Sequence, residues 1–438
     1  MKRRLAHALF LLLVGCTEQP LDSAHSTDGG AKNQSKGVAA PKPTYDDAPP
    51  HAHLSDAGAD GGSQLPLAVI GEDTGEPGLV YAGALAGYYI LRVQRGDGSY
   101  RYQYDPSDDS WPEGDSVHRQ CGATFTLLWL YRITERPEFA IGAGAALEYL
   151  TSQGHFDDEG RFEMVDLGAT ALIALSLTEY ARLEHTRRWD HTIDGVGQSL
   201  LSAIAEDGSF NQGSTLAWAQ AHQALWRIYS HTGDERYLDA LRHLARHSYD
   251  NRDDRKVVDE PYLYGLWANE PLTELYRIDR QQWLEDFVLD IAERVSKVQY
   301  TEDNTDDPRM LGGYPSRIGQ PAIWNTSLKL EAVIDGYRLA RMVGDERADA
   351  LGASALGAAQ FLMRLQYRSG DTDGWPSPTT AIGGVPFSFD NPVIRVDLPH
   401  HAANAILKVA DYLGTDRFAG PRTSLELDRL GTNEAGVQ

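Results

Sequence analysis

The sequence predicts an all-α fold of the α/α-toroid type, with about six helical hairpins forming an inner and an outer ring. Three observations carry this. Helical spacing of apolar residues recurs from Leu79 to Leu413, and strand-like alternation is confined to short pieces such as Tyr100–Tyr104. Two kinds of helix alternate: one is rich in small residues and apolar round most of its surface, and the other is amphipathic with Arg, Glu and Asp outside. Beyond Leu65 no second long linker appears. A single core of roughly 350 residues exceeds the usual size unless the architecture is a repeat or a ring.

The helices follow in order. Leu79–Val93, Val117–Ile133 and Phe139–Thr151 open the series. Asp166–Leu183 contains GATALIALSL, apolar almost all round, and is expected to be buried on every side. Trp189–Ala205, Ser214–Ser230, Glu235–Arg246, Tyr262–Tyr276, Gln281–Val298, Ile323–Met342, Asp345–Arg364 and His400–Leu413 complete it. In His231-Thr232-Gly233-Asp234 the glycine is placed to end one helix and Asp234 to cap the next, and Gly344-Asp345 repeats that turn. Gly-aromatic loops lie between hairpins: Gly98-Ser99-Tyr100, Gly160-Arg161-Phe162, Gly208-Ser209-Phe210, Gly312-Gly313-Tyr314 and Gly383-Gly384-Val385-Pro386-Phe387. Their irregular spacing marks a degenerate repeat.

The 438 residues carry 40 basic and 63 acidic side chains, a formal net charge of −23. Phosphate backbones need basic surfaces, so nucleic acid is not an expected partner. Two cysteines exclude a disulfide-dense scaffold. Residues 1–15 form a basic n-region (Lys2, Arg3, Arg4) followed by a short apolar run, and read as a signal peptide. Leu13-Val14-Gly15-Cys16 resembles a bacterial lipobox. That resemblance implies cleavage before Cys16, lipidation of its thiol and membrane anchoring. Thr17 after the cysteine resembles the outer-membrane sorting pattern, so the expected location is the cell envelope, at the outer membrane. Residues 16–65 lack large apolar side chains and are expected to be a disordered tether. The toroid domain is placed at 66–414, with a tail at 415–438.

The alternating helices resemble the six-hairpin group of toroids, which includes glycoside hydrolases, unsaturated-uronate hydrolases, sugar epimerases and polysaccharide lyases. The segment from Ala219-Gln220 to Asp234-Glu235-Arg236-Tyr237-Leu238 is also similar to a helical hairpin of uronyl C5-epimerases. The resemblance implies a glycan substrate handled by acid/base chemistry, with hydrolysis, elimination and epimerisation all open. The alternative is a non-catalytic lipoprotein that binds glycan or peptide, or a scaffold.

In a toroid the inner-helix N-termini converge, so polar residues there select the candidates. His118, Arg119 and Gln120 open one inner helix and suit a carboxylate or sugar hydroxyl. Arg395 and Asp397 precede the last helix, which begins with His400 and His401; Arg395, Asp397 and His401 are expected to meet Arg119 across the ring closure. Glu260 stands before a helix bearing Tyr262, Tyr264 and Trp267. Glu331 lies inside an apolar helix, where an unpartnered carboxylate is costly. Asp397, Glu331, Glu260 and His401 are therefore the candidate acid/base groups. Trp218, Trp267 and Trp324 are candidate sugar platforms. Cys121 reads as a buried inert thiol. Adjacent histidines on a helix diverge by about 100°, so no metal site is expected at His400 and His401. No nucleotide or phosphate loop occurs in the required context, and no cofactor is expected.

Overall fold

The computed structural model describes residues 78–153, 166–210, 213–252, 261–315 and 323–414, without the side chains of 261–263, 323 and 324. The segments expected to be a signal peptide, a tether and a tail, together with Cys16, Gly160-Arg161-Phe162 and Glu260, lie outside the described residues.

Each expected helix forms. They are α1 (Leu79–Arg92), α2 (Val117–Thr134), α3 (Pro137–Ser152), α4 (Leu167–Leu183), α5 (Asp190–Ser202), α6 (Thr215–Thr232) and α7 (Glu235–Asp250). Then come α8 (Pro261–Asp279), α9 (Gln282–Ser296), α10 (Ile323–Val343), α11 (Ala348–Leu365), a short α12 (Pro378–Ala381) and α13 (Asp397–Leu413). Gly233 adopts φ 68° at the end of α6, and Asp234 accepts a hydrogen bond from Arg236 N at the start of α7, as the turn chemistry requires.

Helices α2, α4, α6, α8, α10 and α13 each pack on the next, and α13 closes the circle on α2. This is the inner ring. Their described residues are buried on nearly all faces; α4, for example, buries every residue from Leu167 to Glu179. Each has an outer partner, α3, α5, α7, α9, α11 and α1 respectively. The first helix is thus the hairpin partner of the last. Two short strands seal the same junction: β1 (Gln103–Tyr104) pairs antiparallel with β2 (Ile394–Arg395).

Small residues let the rings approach. A Cβ on Gly83 of α1 would stand 2.7 Å from Leu407 of α13, and one on Gly336 would stand 2.1 Å from Ala292 Cβ. The outer ring is held by a recurring device. Gly98, Gly312 and Gly383 follow α1, α9 and α11, all with φ between 82° and 90°. Each presses on a carbonyl of the next outer helix, Ala145, Gly357 and Leu85, where a Cβ would come within 2.1 Å of oxygen. Gln94, Gln299 and Gln366 accompany them. Each side-chain amide donates to the carbonyl of its loop glycine and to a carbonyl one turn earlier on the same neighbouring helix: Gly142, Ser354 and Ala82. Gly208 makes the same approach to His243 O, but Ile204 stands where the glutamine would be.

Candidate functional site

Because the inner helices run parallel, their first turns meet at one face of the ring, here called the mouth. His118 of α2 stands 3.0 Å from Asp166, the N-cap of α4, and both side chains are about two-fifths exposed. Gly168 leaves room for them: a Cβ there would stand 2.5 Å from Gln220 Oε1 and 2.7 Å from His118 Nε2. Deeper, His222 Nδ1 faces Trp218 O at 2.8 Å and its Nε2 accepts from Tyr264 Oη at 2.9 Å. Burial lowers His222 to about 4, so the ring is neutral.

The ring closure carries a charge cluster. Arg395 on β2 donates from Nε and one terminal nitrogen to Asp397 at 2.6 and 2.7 Å, and Arg119 Nε reaches Asp397 Oδ2 at 3.0 Å. The guanidiniums also lie against rings, Arg119 over Tyr102 and Arg395 over Phe387. Burial pushes the Asp397 carboxyl up, but Arg395 and Arg119 hold it well below the usual carboxylate range. A carboxylate gripped in this way stays ionised and is a poor proton carrier near neutral pH. Asp397 therefore anchors two arginines, which is not the proton-transfer role that its sequence context suggested. His401 does not join this cluster. His400 takes that place: its ring packs on Gly122 of α2, where a Cβ would come within 2.5 Å. Burial and the adjacent His401 push His400 well below its ordinary value.

The His401 ring stays beside that of His400, with centroids 4.1 Å apart, but it faces α8 and α10. Its Nδ1 lies 3.6 Å from Glu331 Oε1 of α10, and the Trp267 ring stands edge-on with centroids 6.4 Å apart. Glu331 is buried, and its second oxygen lies 3.5 Å from Lys408 Nζ. Lys408 also meets Asp335 at 2.9 Å and Glu270 at 3.5 Å. Arg227 binds the other Glu270 oxygen at 2.6 Å and reaches Glu179 at 3.8 Å, and Arg182 takes Glu179 at 2.6 Å. Toward the far end Arg338 pairs with Glu274. A line of ion pairs thus runs down the axis of the ring from the mouth.

Electrostatics within this line are uneven. Burial pushes Glu270 up, but Arg227 and Lys408 prevail and leave it at about 2. Glu179 is likewise held at about 2, against burial, by Arg182 and Arg227. Asp335 goes the other way. Burial, with repulsion from Glu270 and Glu331, outweighs Lys408 and raises it to about 7. Burial disfavours the charged form of Lys408, yet three carboxylates hold it protonated, above its ordinary value.

Other sequence candidates fall elsewhere. Gln120 is buried and spends its amide on Tyr100 N, Tyr100 O and Asp115 Oδ1, so it holds the first mouth loop and is not positioned to bind a sugar. Trp218 packs against Phe210 and His247, away from His401. Trp324 begins α10, with its side chain outside the described atoms. Cys121 is buried and burial pushes its thiol up, as expected of an inert cysteine. Sequence reading missed Lys408, Asp335, Arg227 and Glu179. Each is a charged residue flanked by mainly apolar neighbours on an inner helix, the same signal that singled out Glu331. Among the described residues no group of His, Cys, Asp and Glu is arranged to hold a metal ion.

No protein-family model and no curated protein matches this chain. Solved structures do. A D-mannose isomerase superposes with a TM-score of 0.56 at 12% identity, covering 76% of this chain and 97% of its own. The cellobiose 2-epimerase of Bacillus thermoamylovorans B4167 gives 0.54 at 15%, covering 74% and 95%. An unsaturated glucuronyl hydrolase specific for heparin gives 0.55 at 11%, covering 77% and 98%. At these identities the likeness concerns the chain trace. The protein has the α/α-toroid fold of the six-hairpin proteins.

Proposed function

We propose that this chain is a glycan-processing enzyme, tethered to the bacterial cell envelope through lipidated Cys16. The observation that carries the enzymatic part is the His401–Glu331 dyad beside Trp267 at the mouth of the ring. An imidazole backed by a buried carboxyl group is an arrangement used for general acid/base work. The Trp267 indole next to it is buried against Phe125, so it walls the dyad and is not the exposed sugar platform that the sequence suggested. Arg119 and Arg395 stand at the same mouth with further N–H donors for a carboxylate or hydroxyl. The structures that share the fold are named as a D-mannose isomerase, a cellobiose 2-epimerase and an unsaturated glucuronyl hydrolase specific for heparin, which supports a sugar ligand here. The anchor rests on the lipobox resemblance at Cys16. The closed pairing of Asp397 with two arginines favours the alternative, a binding or scaffold protein, for that part of the mouth.

The test is a panel of neutral and acidic polysaccharides given to purified residues 66–438. New reducing ends report hydrolysis, the ultraviolet absorbance of unsaturated uronates reports elimination, and deuterium uptake from heavy water reports epimerisation. Turnover that is lost in His401→Gln supports the enzyme. Saturable binding with no turnover in any assay supports the alternative and removes the catalytic reading.

A further inference from the structure

We propose that Lys408 is a positioning residue for the His401–Glu331 dyad: its ammonium takes one oxygen of the Glu331 carboxyl group and leaves the other for the imidazole. This rests on the acid/base reading above and adds a residue that never meets substrate.

The argument begins with how Glu331 divides its two oxygens. Oε2 lies 3.5 Å from Lys408 Nζ, while Oε1 faces His401 Nδ1 at 3.6 Å. Lys408 is itself fixed by Asp335 Oδ2 at 2.9 Å and is buried, and it stands about two turns further from the mouth along α13 than His401. The surroundings come from every inner helix. Helix α8 presents Glu270, α10 presents Glu331, Asp335 and Arg338, and α6 presents Arg227, with Glu179 of α4 behind it. Helix α2 contributes Trp129, whose ring lies 5.9 Å from the Lys408 ammonium, and α13 adds His400, His401 and Tyr412. The cations nearest to Glu270 are Arg227 and Lys408, and Arg227 is already shared between Glu270 and Glu179. Lys408 is thus the cation that contacts Glu331 among the described residues. Without it, a carboxylate this deeply buried takes up a proton in preference to bearing its charge alone. A neutral Glu331 no longer stabilises an imidazolium at His401.

A purely structural Lys408 would hold helices together and leave His401 indifferent. The two roles separate when Lys408 is removed together with Asp335, its shortest contact, because this leaves fewer buried charges unpaired than removing Lys408 alone. The experiment uses the mature lipid-free chain with isotope-labelled histidine, following imidazole nitrogens by NMR through a pH titration, with His401 assigned by its loss in His401→Gln. In the double variant Lys408→Met, Asp335→Leu, the His401 midpoint is expected to fall by about one pH unit or more. An unmoved or raised midpoint in a cooperatively folded variant overturns the proposal. Should the double variant not fold, Lys408→Gln is read in the same way, and Lys408→Arg, which keeps the charge, is expected to retain the parent midpoint. No substrate enters the measurement. Absence of turnover on every glycan therefore counts against the proposed function, and an unmoved His401 counts against the role of Lys408.

Discussion

His401 Nδ1 and Glu331 Oε1 face each other at 3.6 Å, and neither atom makes a hydrogen bond among the described residues. Replacing the imidazole by an amide, His401→Gln, keeps the shape and removes the proton carrier. Turnover on any glycan the parent accepts is expected to fall by about 10²–10⁴-fold. The melting temperature is expected to move little. Initial rates and a thermal melt on the same preparation check both.

Asp397→Asn tests the ring closure. The amide cannot balance Arg395 and Arg119, and both guanidiniums are largely buried. The variant is expected to lose about 3 kcal/mol of unfolding free energy, measured by urea denaturation at neutral pH. The pH dependence has a definite sign. The folded-state pKa of Asp397 is depressed. Its contribution is therefore complete above the unfolded carboxylate value near 4 and is lost as pH falls toward the folded value. The gap between parent and variant is expected to narrow below about pH 4.

Gly383 and Gly370 both have positive φ, 84° and 95°. A side chain strains either backbone by about 1–2 kcal/mol. Only at Gly383 does the new Cβ also meet a carbonyl, Leu85 O at 2.0 Å, whereas Gly370 faces open space. Gly383→Ala is therefore expected to destabilise clearly more than Gly370→Ala in parallel denaturation curves. Gln366→Ala is expected to lose about 1–3 kcal/mol, because two enclosed carbonyls each lose a donor and the brace between loop and helix is cut.

Cys16→Ala tests the anchor. Radiolabelled palmitate is expected to enter the parent and not the variant, and the variant is expected to leave the membrane fraction. Equal labelling of the two would refute lipidation at Cys16.

The ring was legible because helical periodicity is local: each amphipathic or wholly apolar segment announces itself within a few turns, and so do turns such as Gly233-Asp234. The axis was not legible, because its partners are remote. Lys408 and Asp335 are 73 residues apart, and Arg227 and Glu270 are 43 apart. Glu331 could be flagged as needing a partner, but no spacing rule names Lys408. The glutamine braces were hidden for a different reason. Gln94 precedes its glycine by four residues, Gln299 by 13 and Gln366 by 17. The contact on the neighbouring helix is constant while the loop between varies, so no period survives in the chain. Gln120 was misread because a polar residue at a helix start serves a ligand and a loop backbone equally well, and only the position of Tyr100 decides between them.

The pairing of the first helix with the last also sets an orientation. Helix α1 ends at the mouth, where Val93 O accepts from Arg101 N and Tyr100 meets Gln120, while α13 begins there at Asp397. Leu79 and Leu413 therefore both lie at the opposite face. A support attached through either end of the ring would hold it from below and leave the mouth facing away from the attachment. Large polymers could then approach without passing the point of fixation.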